Sequence, residues 1–136
     1  TYAGMIYLLE REKPKQPSMD ELLLKELNYN AIIFIASLKK HPVASMAALK
    51  MREIFGKMAL SLTREEAYHG WFLHPTKHEG LVTVDTDFEF NSPYKLSGSL
   101  INLFSHLYYN IGILQEIKNP TKPDYQRILD LRNWKL

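Results

Sequence analysis

The sequence predicts an α+β fold in which helices dominate. Apolar residues recur at helix-like intervals over long stretches, most regularly over residues 95–117. Residues 80–90, GLVTVDTDFEF, alternate between apolar and polar side chains in the manner of short strands. We therefore expect a single domain over residues 1–136, with about five helices, a small antiparallel β-hairpin at 80–90, and a strand at 4–9 that can join the hairpin in one sheet.

The first part of the chain is expected to form this strand and a long helix. Apolar and aromatic residues near the N-terminus indicate the strand at about 4–9, and a charged loop with two prolines leads from it to Ser18. Ser18 precedes Glu21 by three residues, the pattern of a capping box, and leucines at helical spacing follow to about Lys40. Residues 31–36, AIIFIA, are apolar on every side, which favours a buried central helix or, alternatively, a strand.

Further helices are predicted after Pro42, which ends the long helix. The first covers about 43–61, and Lys39 and Lys40 precede the proline, where cations suit the C-terminus of a helix. A second capping-box pattern at residues 63–66 predicts a short helix over 63–73. After the hairpin we expect one helix over about 95–117 and a last one over about 123–132.

Composition and charge limit the class of protein. An apolar fraction of 46% suits a folded domain, and the lack of cysteine excludes disulfides and thiolate metal sites. The formal net charge of +2 is modest for a dedicated nucleic-acid domain. No signal peptide or membrane span is visible, so we expect an intracellular protein of the cytoplasm or nucleus. Because the first residue is Thr rather than Met, we also expect a piece excised from a longer protein.

The stretch HGWFLHPTKHEG, residues 69–80, is the first candidate site. Imidazole is a common ligand of zinc and iron, so His69, His74 and His78 are candidate metal ligands. Their spacing is unfavourable, because His69 and His74 are five residues apart and Pro75 prevents a shared helical face with His78. A structural role is favoured instead, in which the aromatic residues of the stretch anchor a short helix and the histidines lie at exposed edges. No metal or other cofactor is expected.

The order strand, helix, helix, helix, hairpin suggests a second interpretation. Over residues 4–90 this order resembles that of winged helix-turn-helix domains, which implies DNA binding. The resemblance makes residues 63–73 the recognition helix, with Arg64 as its base reader or phosphate clamp. The hairpin would be the wing, although its acidic residues repel phosphate.

Catalytic motifs are missing from the sequence. It contains no G-x-S-x-G, no G-x-G-x-x-G and no G-x-x-x-x-G-K. Asp85, Asp87 and Glu89 would share one strand face, which is typical of a solvated acidic row. No small-molecule substrate is identified, and we expect a protein that is not an enzyme.

Two groups of residues are candidates for contact with partners. One group is basic and would attract nucleic acid or an anionic membrane: Lys39, Lys40, Lys50, Arg52 and Lys57. The other group is aromatic and would lie in a protein interface: Tyr94, Tyr108, Tyr109 and Trp134.

These features predict a non-catalytic module for interaction or assembly. It would self-associate or dock another protein, with a basic face toward nucleic acid or an anionic membrane. Viral structural proteins and intracellular scaffolds both have this profile. The winged-helix DNA-binding domain over residues 4–90 is the alternative function, and a metal site at His69, His74 and His78 is the third.

Overall fold

The computed structural model describes residues 15–70, 79–88 and 93–118. These residues form an α/β fold with four α-helices, a short 3-10 helix over Leu38–Lys40, and a four-stranded sheet in which every strand is parallel to its neighbours. The helices are α1 (Glu21–Leu27), α2 (His41–Phe55), α3 (Arg64–His69) and α4 (Leu100–Lys118). The strands are β1 (Ala31–Ala36), β2 (Met58–Thr63), β3 (Glu79–Val84) and β4 (Tyr94–Leu96).

The strands lie in the order β2-β1-β3-β4. Ala31 of β1 pairs with Met58 of β2 on one side and with Glu79 of β3 on the other. Val82 of β3 pairs with Tyr94 of β4. The chain therefore moves from β1 to one edge of the sheet, returns past β1, and continues toward the opposite edge. The direction of winding reverses between β1 and β3, as it does in other open α/β sheets.

The predicted helix from Ser18 to Lys40 is wrong beyond its first turns. Asp20 rather than Ser18 caps α1, because its carboxylate accepts a hydrogen bond from the Leu23 N–H at 3.1 Å. Residues 31–36 form β1, the alternative that the isoleucines indicated. This strand lies between two parallel neighbours and under helices, so it is buried on both faces, and such strands are apolar without alternation.

The predicted antiparallel hairpin at 80–90 is also wrong. Residues 79–84 form β3, the backbone turns at Asp85, and the next strand is β4, which runs parallel to β3. Both faces of β3 are buried, so its alternating sequence reflects two different packing layers rather than a dry and a wet side. The α+β class is replaced by α/β. The winged-helix arrangement over residues 4–90 is therefore also wrong, because it needs this hairpin as its wing.

The next two helices are shorter than predicted. The helix predicted over 43–61 ends at Phe55, because Gly56 adopts a left-handed conformation with φ 65°, and the missed strand β2 follows. The capping box of Thr63 and Glu66 is confirmed, but its helix ends at His69.

The helix predicted over 95–117 becomes α4, and residues 94–96 before it form β4 instead. The predictions for residues 4–9 and 123–132 lie outside the described residues.

Helices cover both faces of the sheet. On the first face α1, α2 and α4 pack against the side chains of Ile32, Phe34, Val82 and Val84 in the larger core cluster. On the second face α3 contributes Ala67, which packs with Ile33, Ile35, Leu81 and Phe88. Because successive strand residues point to opposite faces, each apolar residue of β1 serves one of these two layers.

The start of β3 is in direct contact with α1. The Leu81 N–H donates a hydrogen bond to the Glu26 carboxylate at 3.0 Å. A Cβ atom at Gly80 would lie 2.1 Å from the Glu26 carbonyl oxygen. Only glycine permits so close an approach of the two backbones at this position.

Candidate functional site

The carboxyl ends of the strands meet at one edge of the sheet. Ser37 follows β1, Asp85 follows β3 and Ser97 follows β4 at this edge. In open α/β sheets, ligands bind outside the carboxyl edge, close to the point where the winding reverses. In this protein that point lies between β1 and β3.

Asp85 has an uncommon backbone conformation at the reversal point. Its φ is 54°, in the left-handed region that aspartate tolerates better than most residues. The Asp85 N–H donates to the Leu96 carbonyl oxygen at 2.7 Å, and the Ser37 N–H donates to the Val84 carbonyl oxygen at 3.2 Å. These two bonds continue the sheet past its strand ends and leave the Asp85 side chain exposed at the edge.

A cavity of about 290 Å³ lies at the carboxyl end of β4, one strand away from the reversal point. Its wall consists of residues 15–18 on one side, residues 96–98 at the base, and Asn102, Leu103 and His106 of α4 on the other side. Among the described residues of this wall, lysine and histidine are present, whereas aspartate and glutamate are not. The wall therefore favours a ligand that carries negative charge.

Three polar residues of α4, spaced four apart, bind the segment that lines one side of this cavity. The Asn102 side-chain oxygen accepts a hydrogen bond from the Lys15 N–H at 2.9 Å. The Asn110 amide donates to the Ser18 carbonyl oxygen at 3.2 Å, and its oxygen accepts from the Asp20 N–H at 2.8 Å. Residues 15–20, which we call the strap, are thus bonded along α4, and residues 15–18 line one side of the cavity.

His106, the middle residue of the three, is held by Asp20. Its Nε2 lies 2.8 Å from the Asp20 carboxylate, which also accepts hydrogen bonds from the Tyr94 hydroxyl and the Leu23 N–H. Burial raises the pKa of Asp20. The hydrogen bonds and the His106 charge lower this pKa by more than burial raises it, so the pKa lies below its ordinary value. Burial and the contact with Asp20 raise the pKa of Tyr94, which keeps its hydroxyl a donor.

This arrangement places an oriented imidazole in the wall of the cavity. A carboxylate that binds one ring nitrogen fixes the orientation of the ring. An imidazole held in this way can donate a hydrogen bond to an anion or exchange a proton with a bound molecule. Asp20 therefore fixes the position of His106, which is one of the residues that line the cavity.

The basic residues predicted to form one face lie near the two ends of α2. Lys39 and Lys40 are in the 3-10 helix at the carboxyl edge. Arg52 lies in the last turn of α2, and Lys57 follows that helix. A helix of 15 residues spans about 22 Å, which separates the two groups. Among the residues of known placement, no helix is both long and apolar enough to cross a bilayer.

The three basic residues near the end of α2 all have partners within the protein. Lys50 pairs with Glu53 at 3.4 Å, and the Arg52 guanidinium donates to the Ala59 carbonyl oxygen at 2.6 Å. The Lys57 ammonium donates to the last carbonyl of α1 at 2.8 Å. Burial lowers the pKa of Lys57 to about 8, and the nearby charge of Lys118 contributes.

The predicted interface aromatics have different surroundings. Tyr94 is bonded to Asp20, and Tyr108 packs against the core of the first face. Tyr109 is 44% exposed on α4, where it remains available to a partner. Trp134 lies outside the described residues. Their role in a protein interface stays a prediction.

The histidine-rich stretch is described only at residues 69–70 and 79–80. His69 is the last residue of α3, whereas His74 and His78 fall in residues 71–78, outside the described part. Across residues 15–70, 79–88 and 93–118, no three His, Asp or Glu side chains are grouped as metal ligands.

The residues around the strap were missed in the sequence, although a signal for them exists. Asn102, His106 and Asn110 recur at intervals of four within a strongly apolar helix, so they share one helical face. Asn110 is fully buried, which an asparagine tolerates only when its amide is hydrogen-bonded. A polar stripe of this kind on an apolar helix indicates a buried polar partner.

Comparison of the chain with protein-family models, curated proteins and solved structures finds no match in any of the three. The function is therefore inferred from the geometry and chemistry of the site alone.

Proposed function

We propose that the protein binds a small anionic molecule in the cavity at the carboxyl end of β4. The observation that carries this proposal is the wall of the cavity, whose described lining residues include Lys15 and His106 and no aspartate or glutamate, with the Asp20 carboxylate behind His106. A volume of about 290 Å³ is close to the lower end of ordinary ligand sites, so the ligand is the size of a small metabolite.

Three side chains supply donors to such a ligand. Lys15 is exposed and contributes an ammonium group. Asn102 already accepts a hydrogen bond through its oxygen, which leaves its amide N–H groups to donate. His106 is oriented by Asp20 and adds a third donor when it is protonated. These donors match the acceptor oxygens of a carboxylate or a phosphate group.

The position in the fold supports the same proposal. Parallel α/β sheets bind ligands at the carboxyl edge, and this cavity lies at that edge, at the end of β4. The module for interaction and assembly that the sequence predicts remains a second proposal. Its basic residues are divided between two ends of α2, so a single nucleic-acid or membrane face has less support than the cavity.

Titration with inorganic phosphate and with malonate, followed by amide chemical shifts, tests this function. We expect saturable shifts at Ser97, Gly98 and Asn102, and binding that weakens about three- to fivefold in Lys15→Gln, the usual effect of removing one exposed charge contact. Lys25→Gln is the matched control, because Lys25 is an exposed lysine on α1 away from the cavity. Shifts that do not saturate, or that Lys15→Gln and Lys25→Gln weaken equally, would contradict the proposal.

A further inference from the structure

The contact between Asp20 and His106 determines which ring nitrogen of His106 carries a hydrogen. The Asp20 carboxyl group is ionised at neutral pH, because its pKa lies below the ordinary value, and an ionised carboxylate can only accept hydrogen bonds. Nε2 of His106 lies 2.8 Å from this carboxylate and must therefore be the donor. A neutral imidazole has one N–H group, so Nδ1 of the neutral ring carries no hydrogen and is an acceptor.

Nδ1 of His106 is open on the side of the cavity. Within the described residues it has no hydrogen-bond partner, and it is not one of the buried polar atoms that lack a partner. The backbone of Asp20 is bonded to Asn110, one turn after His106, whereas the cavity is lined by Asn102, one turn before it. The two ring nitrogens point away from each other, so a ring whose Nε2 faces Asp20 presents Nδ1 toward the cavity.

The cavity therefore offers a hydrogen-bond acceptor beside its donors. The Lys15 ammonium and the Asn102 amide can donate to an anionic group of a ligand. Asn102 and His106 are four residues apart on α4, so their Cβ atoms lie about 5–6 Å apart on one face of the helix. A small ligand that bonds to both side chains needs a hydrogen-bond donor close to its anionic group.

A hydroxyl group suits this donor position better than an ammonium group. The described residues that line the cavity include no aspartate or glutamate, so a cationic donor has no opposite charge there, and Lys15 repels it. A hydroxyl group is uncharged and donates one hydrogen. It can therefore bond to Nδ1 without bringing a second positive charge next to Lys15.

We propose that the ligand of the cavity is a small hydroxy acid, whose hydroxyl group donates to Nδ1 of His106 while its carboxylate accepts from Lys15 and Asn102. Asp20 is a positioning residue, because it keeps the hydrogen on Nε2 and thereby keeps Nδ1 an acceptor. The inference rests on the proposed function and adds the chemical class of the ligand to it.

Malonate, hydroxymalonate and aminomalonate, which share one carbon skeleton, test this inference. Binding is followed at about pH 8.5, above the usual range of histidine titration, through the methyl carbon shifts of Leu96 and Leu103 in the cavity wall. We expect hydroxymalonate to bind about three- to tenfold more tightly than malonate, the effect of one additional hydrogen bond. Aminomalonate should bind no more tightly than malonate.

The outcomes separate this inference from the proposed function. Failure of both malonate and phosphate to bind contradicts the proposed function. Hydroxymalonate that binds no more tightly than malonate, or aminomalonate that binds most tightly of the three, overturns the hydroxy acid alone.

Two ring variants locate the source of the preference. His106→Phe keeps an aromatic ring and removes both nitrogens, so hydroxymalonate and malonate should then bind about equally. His69→Phe is the matched control, because His69 is exposed at the end of α3, and it should keep the wild-type preference. A preference for hydroxymalonate that persists in His106→Phe overturns the inference.

Nitrogen NMR of the His106 ring tests the role of Asp20 without any ligand. At the same pH we expect a hydrogen on Nε2 and none on Nδ1 in the wild type. In Asp20→Asn the amide oxygen should face the Leu23 N–H, which can only donate, so the amide nitrogen donates to Nε2 and the ring hydrogen moves to Nδ1. A wild-type ring with hydrogen on Nδ1 overturns the inference, as does a ring that Asp20→Asn leaves unchanged.

Discussion

Substitution of Gly80 by alanine should destabilise the protein strongly, because two backbones meet at that residue. The new Cβ would lie 2.1 Å from the Glu26 carbonyl oxygen, whereas real Cβ contacts essentially never fall below 3.0 Å. Neither atom belongs to a flexible side chain. The end of α1 or the start of β3 must therefore move by about 1 Å or more, as expected for an overpacked site.

The cost of this movement follows from what it disturbs. Overpacking a tight site costs about 1–3 kcal/mol. Movement of α1 also breaks the hydrogen bond from the Leu81 N–H to the Glu26 carboxylate, and bonds to charged groups contribute about 1.5–3 kcal/mol. Together these effects predict a loss of roughly 4 kcal/mol, a large part of the roughly 5–15 kcal/mol that stabilises a typical domain.

Urea unfolding followed by circular dichroism measures this loss. Gly112→Ala is the matched control, because Gly112 lies within α4 and a Cβ there would meet nothing within 4 Å. Alanine is the better helix former, so this control should gain about 0.5–1 kcal/mol. A Gly80→Ala variant whose stability lies within about 1 kcal/mol of the wild type would refute the close contact between α1 and β3.

Three further predictions concern buried polar groups. Asn110→Ala leaves the Asp20 N–H and the Ser18 carbonyl without their partner. We therefore expect the free energy of unfolding in urea to fall by about 2–3 kcal/mol and hydrogen exchange at the Asp20 amide to become faster. Unchanged exchange would show that Asn110 does not hold the strap. Because the folded-state pKa of Asp20 lies below its ordinary value of 3.8, its ionised form stabilises the protein above that pH, and this contribution is lost as the pH falls through the folded-state value. Asp20→Asn should thus be less stable than the wild type at pH 7, with a difference that shrinks in acid; a constant difference would contradict the ionised network. The pKa of Lys57, lowered to about 8, means that the folded state releases this proton before the unfolded state does, so stability should rise as the pH increases from about 8 toward 10.5. Lys57→Met should remove that rise, and NMR titration of the Lys57 side chain with a midpoint well above 9 would contradict its burial.

Local patterns in the sequence were sufficient for several elements. Thr63 and Glu66 predicted a helix start, and the structure has that capping box with both of its hydrogen bonds. The regular apolar spacing before and after Leu107 predicted a long helix, which is α4. These features depend on residues within one or two turns of each other, so the chain specifies them without any distant contact.

The strands show where local patterns fail. AIIFIA has the same apolar character whether it is a buried helix or a buried strand, and its parallel pairing with β2 and β3 decides between the two. GLVTV alternates, yet both of its faces are buried, because helices or loops cover each side of β3. A hairpin and a parallel crossover cannot be distinguished from the residues of one strand.

The sequence by itself determined where α3 begins and that most of α4 is helical, and the spacing of Asn102, His106 and Asn110 determined that they share a face of that helix. Only the tertiary structure decided that the sheet is parallel, that Asp20 lies against His106 although 86 residues separate them, and that Arg52 reaches the backbone of β2 from α2. The physical reason is that helices form through bonds between neighbours in the chain, whereas a parallel sheet and the sites at its edges exist only after distant segments have packed together.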